Sequence, residues 1–136
     1  MRKLAISIAC AAIMAAPAMA DEMWKTDLGT MIWEDDYDGG AILMVEVGGK
    51  PVRFYLEGLT TDVESRGNFT GYWINTDDEQ LCSSQMMGPD GTKSRTWGRV
   101  SLTFLDPAFP SDWVLLASDC LAEPSIPLTG RASTGE

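Results

Sequence analysis

The side chains of this sequence that could do chemistry are mainly carboxylates, because the chain has 20 aspartates and glutamates and no histidine. Without histidine, neither a Ser-His-Asp nor a Cys-His arrangement can form, and no imidazole can bind a metal. Two carboxylates at a set separation suffice for glycoside hydrolysis, but the sequence singles out no pair. It also contains no phosphate-binding glycine loop between a strand and a helix. We therefore expect a protein that is not an enzyme and that uses no cofactor.

Calcium is the metal that acidic side chains could hold, since it prefers oxygen ligands. Glu34, Asp36 and Asp38 stand at alternate positions and Gly39 follows them, as at the start of an EF-hand loop. The position where an EF-hand needs its last glutamate is Val45, and the flanking segments have the pattern of strands rather than helices. Two interpretations remain: an irregular calcium site in a hairpin loop, and a solvated acidic loop without a metal.

The N-terminus has the pattern of a secretory signal peptide. Arg2 and Lys3 precede a short apolar stretch over residues 4–14, and Ala18-Met19-Ala20 is a small-x-small cleavage site. This stretch is too short to cross a bilayer, and no later segment approaches the necessary length. We expect residues 1–20 to be cleaved near Ala20 and the mature protein to be periplasmic or secreted.

Two cysteines remain after this cleavage, Cys82 and Cys120. In an oxidising compartment an even pair is typical of a disulfide. The bridge would close a loop of about 39 residues and stabilise the fold by about 4 kcal/mol on the chain-entropy account. Two buried thiols are the alternative.

The elements that position these residues have the pattern of short strands. Apolar and polar residues alternate over 52–57 and 100–104, and Gly48-Gly49 between two such runs suits a tight hairpin. We expect about seven strands, at 29–35, 41–47, 51–57, 68–74, 81–87, 95–105 and 113–119. The predicted fold is all-β: a small antiparallel barrel or sandwich over residues 21–120 with one disulfide. Residues 121–136 are rich in proline and small residues and are predicted to be a flexible C-terminal tail.

The strand GNFTGYW (67–73) raises the question of a binding site. Phe69, Gly71 and Trp73 would share one face of it. Gly71 lets a strand bend sharply or lets another group lie over it. One interpretation is a barrel corner with both aromatic residues in the core, and the other is an aromatic pair that faces a ligand.

The charge of the protein indicates the kind of partner. Loss of Arg2 and Lys3 changes the formal net charge from −10 for the whole chain to about −12. Such a protein repels phosphate, so we expect no nucleic-acid partner. It attracts basic proteins and speeds the encounter with them in a salt-dependent way.

The order of features over residues 41–81 resembles that of the periplasmic inhibitors of C-type lysozyme, of the MliC type. An apolar strand, a Gly-Gly-Lys turn, a second strand, the Ser65-Arg66-Gly67 loop, an aromatic strand and an acidic tip follow one another. The resemblance implies a small β-barrel whose loop inserts into the active site of a lysozyme. The partner contacts that it suggests are Ser65, Arg66 and Thr76. With the aromatic pair of the adjoining strand, Phe69 and Trp73, these are the predicted partner-binding residues.

We therefore expect a non-enzymatic, exported β-barrel that binds a basic protein such as a lysozyme. One alternative is a calycin-like carrier of a small apolar ligand, with a pocket lined by Phe69, Trp73, Trp97 and Trp113. The other is a structural subunit of an envelope complex, which an exposed apolar patch would favour.

Overall fold

The structure is a computed structural model that describes residues 22–59, 67–77, 79–106 and 111–133. Eight of its strands close into one antiparallel barrel, in the order β1-β10-β9-β8-β5-β4-β3-β2. These strands are β1 (Met23–Thr26), β2 (Gly29–Tyr37), β3 (Gly40–Val47), β4 (Lys50–Leu56), β5 (Asn68–Asn75), β8 (Thr96–Phe104), β9 (Trp113–Ala117) and β10 (Ile126–Ser133). A separate ribbon pairs β6 (Met86–Met87) with β7 (Lys93–Ser94). The predicted all-β barrel class is confirmed. Among the described residues, no helix has the length and apolar character needed to cross a membrane.

The core of the barrel follows from the alternation of apolar and polar residues. On β4, Val52, Phe54 and Leu56 point inward and are buried, as the sequence pattern predicts. The same inward set on β8 consists of Val100, Leu102 and Phe104. The remaining buried side chains of this core are Trp24, Met31, Trp33, Ala41, Leu43, Val45, Leu59, Phe69, Trp113 and Leu115.

Glycine acts at two points that set the shape of the wall. Gly48 and Gly49 have φ of 62° and 82°, so both take the left-handed conformation that a two-residue hairpin between β3 and β4 requires. Gly71 on β5 pairs with Leu56 and Val100. A Cβ built on Gly71 would lie 1.7 Å from the carbonyl oxygen of Tyr55. Only glycine therefore allows β4 and β5 to approach this closely, and the wall bends here.

A second apolar cluster lies outside the barrel wall, beneath the connection between β5 and β8. We call residues 76–95 the crossing segment. Its Cys82 packs with Tyr55, Ile74 and Trp97 on the outward faces of β4, β5 and β8. The predicted disulfide is confirmed: Cys82 and Cys120 are bonded, with Cα atoms 5.7 Å apart. The bond ties the crossing segment to the loop after β9.

Two sequence predictions about the elements are wrong, and one strand was missed. The run 81–87 is not a barrel strand, since only Met86–Met87 forms a strand, in the separate ribbon. The short β1 was not foreseen. Residues 126–133 are not part of a flexible tail, because they form β10, which pairs with β1 and β9 and closes the barrel. The predicted signal peptide, residues 1–20, lies outside the described residues.

Candidate functional site

The interior of the barrel is filled by its own side chains. Trp24 and Trp113 are fully buried, with ring centroids 6.3 Å apart. Phe69 meets Phe104 edge-on at 6.0 Å. The described residues therefore leave no large enclosed cavity in the barrel, and binding sites must be sought at its ends and on its outer wall.

One end of the barrel is an open apolar cup, which we call the apolar mouth. Its volume is about 290 Å³. Its apolar lining consists of Leu28, Val47, Val52, Phe54, Trp73, Leu115, Ala117, Ile126, Pro127 and Leu128. Phe54 and Trp73 are direct neighbours across β4 and β5. Leu28, Val47 and Ile126 at its rim are substantially exposed, which is uncommon for large apolar side chains that cluster.

A second concavity lies on the outer wall, where the crossing segment folds back over β4 and β5. We call it the tyrosine groove. Its volume is about 630 Å³, and its lining consists of Tyr37, Asp38, Glu57, Gly58, Tyr72, Met87, Gly88 and Pro89. It opens toward the end of the barrel opposite the apolar mouth, because Asp38 lies in the β2–β3 turn and Glu57 follows β4.

The groove is built on a row of three phenol rings packed against one another. Tyr55 is fully buried between the two others. Its ring centroid is 6.5 Å from that of Tyr37, in an edge-on arrangement, and 5.2 Å from that of Tyr72, in a stacked one. The turn of the crossing segment lies directly on Tyr55, since a Cβ on Gly88 would come within 2.7 Å of the ring. Tyr37 and Tyr72 are held in place by this packing and stay partly exposed.

Hydrogen bonds hold the crossing segment against the wall beside the groove. The Tyr55 hydroxyl donates to the Asp90 carboxylate at 3.0 Å. Arg53 binds Glu34 through two contacts of 2.8 and 3.2 Å, and its Nε lies 3.9 Å from Asp90. Burial raises the pKa of Asp90, but the hydrogen bonds donated by Thr92 and Tyr55 outweigh burial and leave that pKa below its ordinary value. The carboxylate form of Asp90 is therefore favoured, and it accepts the hydrogen bond from the Tyr55 hydroxyl.

All three phenols of the groove remain neutral at ordinary pH. Burial, together with the nearby Tyr72 and Glu57, raises the pKa of Tyr37 to about 12. Burial also raises the pKa of Tyr55 well above its usual range. For Tyr72, burial and then the charges of Glu57 and Asp90 raise the pKa. The groove thus presents neutral aromatic rings beside the side chains of Asp38 and Glu57.

The structure separates the partner-binding residues suggested by the sequence. Ser65 and Arg66 lie outside the described residues. Phe69 is 5% exposed and belongs to the core, whereas Trp73 is half-buried and borders the apolar mouth. The Trp73 indole N–H donates to the Ser118 carbonyl at 2.8 Å. The core interpretation of the GNFTGYW strand is therefore confirmed for Phe69 and not for Trp73, and a ligand facing Trp73 stays a prediction.

Thr76 is exposed just after β5, at the end of the barrel that carries the apolar mouth. The strand between Asn68 and Thr76 spans about 26 Å at the usual rise per residue. Thr76 therefore lies far along the wall from the point where the described chain resumes at Gly67. A single small contact surface does not include both ends of β5.

The four aromatic residues proposed for a carrier pocket do not line one cavity. Phe69 and Trp113 are in the core, and Trp97 lies on the outer face, where its indole N–H donates to the Ser84 carbonyl at 2.9 Å. Trp73 borders the apolar mouth, whereas Trp113 contributes to a different, polar concavity. The expected enclosed pocket of these residues is not formed.

Two of the three acidic residues of the suggested calcium site make other contacts, and the third, Asp38, lines the tyrosine groove. Glu34 binds Arg53, and Asp36 accepts a hydrogen bond from the Trp33 indole at 3.2 Å. A bulge between Trp33 and Asp35 shifts the register of β2 at this point. Across the described ranges, no group of three acidic, cysteine or histidine residues is arranged to hold a metal ion.

Sequence reasoning did not identify the tyrosine groove. Its rings come from β2, β4 and β5, and the tyrosines stand 17 or more positions apart in the chain. The one usable signal was that Tyr55 and Tyr72 both fall on outward positions of predicted neighbouring strands. No protein-family description, curated protein or solved structure matches this chain.

Proposed function

We propose that this protein is a non-enzymatic, exported binding module whose partner is a basic protein. The observation that carries the proposal is the filled interior: with Trp24, Phe69 and Trp113 occupying the barrel, the concavities left for recognition are at its ends and on its outer wall. The outer surface carries the acidic residues, since the buried set contains no charged side chain among the described residues. A negative field of this size steers positively charged proteins to it.

The tyrosine groove is the proposed contact surface. Tyrosine is among the residues enriched at the energetic centres of protein interfaces, and Tyr37 and Tyr72 are partly exposed on a rigid support. Glu57 and Gly58 in its lining also begin the connection between β4 and β5. Ser65 and Arg66, the loop residues that the resemblance implicates, belong to that same connection. A C-type lysozyme is therefore the first partner to test.

The test uses the mature protein and a purified C-type lysozyme. Gel filtration should detect a complex, and lysis of cell walls by the lysozyme should fall, more strongly at about 20 mM than at about 300 mM salt. Tyr72→Ala should weaken the complex about tenfold, as expected for the loss of an interface anchor. Leu28→Ala is the matched control: it truncates an exposed side chain at the opposite end.

Two results would refute the proposal. The first is the absence of a complex together with undiminished lysis at low salt. The second is equal binding by wild type, Tyr72→Ala and Leu28→Ala, because attraction between net charges alone would then account for the association. Circular dichroism of both variants ensures that folded proteins are compared.

The apolar mouth favours a second candidate function, the binding of a small apolar ligand. Its volume of about 290 Å³ is at the lower limit for small-molecule sites. A neutral fluorescent naphthylamine probe should bind the wild type, and Ala117→Phe, which fills the mouth, should abolish this. Leu105→Phe, an exposed position away from the mouth, is the control. Unchanged probe fluorescence in Ala117→Phe would eliminate this candidate.

A further inference from the structure

The tyrosine groove has a composition that selects the chemistry of what enters it. Among the described residues that line it there are two carboxylate residues, Asp38 and Glu57, and no lysine or arginine. Among the described residues neither carboxylate forms an ion pair. Arg53 on β4 is held by Glu34 and Asp90. Arg99 on β8 pairs with Tyr72 and lines a neighbouring concavity with Glu57, but it donates its hydrogen bonds to the carbonyl oxygens of Leu121 and Ala122. Neither guanidinium group therefore neutralises Asp38 or Glu57 through an ion pair among the described residues.

The rings add a second, independent preference for positive charge. A neutral phenol ring has a negative π face, which attracts an ammonium or guanidinium group within about 6 Å of its centroid. Tyr37 and Tyr72 both border the groove and keep part of their surface exposed. They are fixed by contact with Tyr55, at 6.5 and 5.2 Å between centroids, so little side-chain entropy is lost when a ligand binds.

The Glu57 carboxylate can bind the same cation that stacks on Tyr37 or Tyr72. Glu57 lines the groove together with Tyr37 and Tyr72. It directly follows Leu56, which pairs with Gly71, the chain neighbour of Tyr72. A planar cation that stacks on one of these rings can therefore also donate hydrogen bonds to Glu57. Guanidinium fits this arrangement better than ammonium, because it is planar, stacks on aromatic faces and presents forked donors to a carboxylate.

We propose that the tyrosine groove binds the guanidinium group of an arginine side chain presented by the basic partner. This inference rests on the proposed function, whose contact surface is the same groove, and it adds the chemical group that is recognised. An anion would be repelled by Asp38 and Glu57. A neutral sugar could stack on the rings, but it would leave both carboxylates without a counter-charge.

The experiment uses small probes, so its outcome does not depend on finding the partner. The mature protein is titrated with N-acetyl-arginine amide, while two-dimensional NMR follows the ring resonances of Tyr37 and Tyr72. N-acetyl-citrulline amide is the matched probe, because it has nearly the same shape without the charge. We expect saturable shifts of both rings with the arginine probe, weakening as salt rises, and no saturable shift with the citrulline probe.

Two isosteric variants locate the charge that matters. Glu57→Gln should weaken binding of the arginine probe about two- to fivefold, the range expected for one partly exposed ion pair. Glu46→Gln makes the same change of net charge on β3, next to the hairpin at the other end of the barrel, and should change affinity less than about 1.5-fold. Tyr72→Leu should also weaken binding about two- to fivefold through loss of the ring face.

Three outcomes would overturn the inference. Equal shifts with the citrulline probe would show that charge is not recognised. Equal losses in Glu57→Gln and Glu46→Gln would indicate attraction to the whole protein rather than to the groove. Ring shifts with a neutral amino-sugar disaccharide, and none with the arginine probe, would identify a carbohydrate site. A failure of lysozyme to bind would refute the proposed function but leave the probe result standing.

Discussion

Replacing Gly71 by alanine tests the account of the barrel wall most directly. The added Cβ would lie 1.7 Å from the Tyr55 carbonyl oxygen, 2.8 Å from its carbonyl carbon and 3.3 Å from the Leu56 Cα. All three atoms are backbone, so no side-chain rotation can relieve the contact. β4 and β5 must move apart, which disturbs the pairing of Leu56 with Gly71 and the tyrosine row on the same strands.

The loss of folding free energy caused by Gly71→Ala should be at the upper end of the range measured for overpacked sites. Extra methylenes in well-packed regions cost about 1–3 kcal/mol when side chains can adjust, and more when they cannot. We therefore expect Gly71→Ala to lower the free energy of unfolding by at least about 3 kcal/mol. For a domain of this size the melting temperature should fall by about 10 °C or more.

The assay is urea unfolding followed by tryptophan fluorescence, with Gly67→Ala as the matched control. Gly67 lies just before the same strand, and a Cβ there meets no described residue within 4 Å. Its substitution should change the free energy of unfolding by less than about 0.5 kcal/mol. If Gly71→Ala instead stays within about 1 kcal/mol of the wild type, the close approach of β4 and β5 is not a real constraint and the reasoning fails.

Three further predictions concern the disulfide, the tyrosines and the closing strand. Replacing Cys82 and Cys120 together by serine should lower the free energy of unfolding by about 4 kcal/mol. The amides of the crossing segment should then exchange with solvent faster than those of β3 and β4. An equal loss of protection in all three segments would contradict this prediction. All three tyrosines have a pKa raised above 10, so the protein should show no phenolate absorbance step at pH 10, unlike N-acetyl-tyrosine amide. Because these pKa values are higher in the folded state, the stability that the neutral phenols contribute is present below pH 10 and is lost as the pH rises toward and through about 12. If the tyrosines of the folded protein titrate with the midpoint of N-acetyl-tyrosine amide, their burial is refuted. Deleting residues 126–136 should unfold the barrel, whereas deleting 134–136 should leave its melting temperature unchanged, and a folded 1–125 fragment would show that β10 is dispensable.

The closing strand shows where sequence reasoning stopped. Residues 126–133 contain Pro127 and Gly130, which local rules assign to loops and tails. In the barrel, Pro127 lies where β10 pairs with β9, while β1 pairs only with residues 131–133. The missing N–H of Pro127 is therefore not required by a partner on the β1 side. Tertiary pairing makes a strand from a segment whose own propensity is poor.

The sequence by itself determined the strands whose faces alternate, the hairpin at Gly48-Gly49, the pairing of the two cysteines and the acidic character, because each depends on neighbouring residues or on composition. The tertiary structure alone decided which segments close the barrel, whether its interior is open, and that Tyr37, Tyr55 and Tyr72 form one groove. These features depend on register between segments far apart in the chain. The pattern of residues within one strand does not specify this register. A shift of one residue between paired strands changes every cross-strand neighbour.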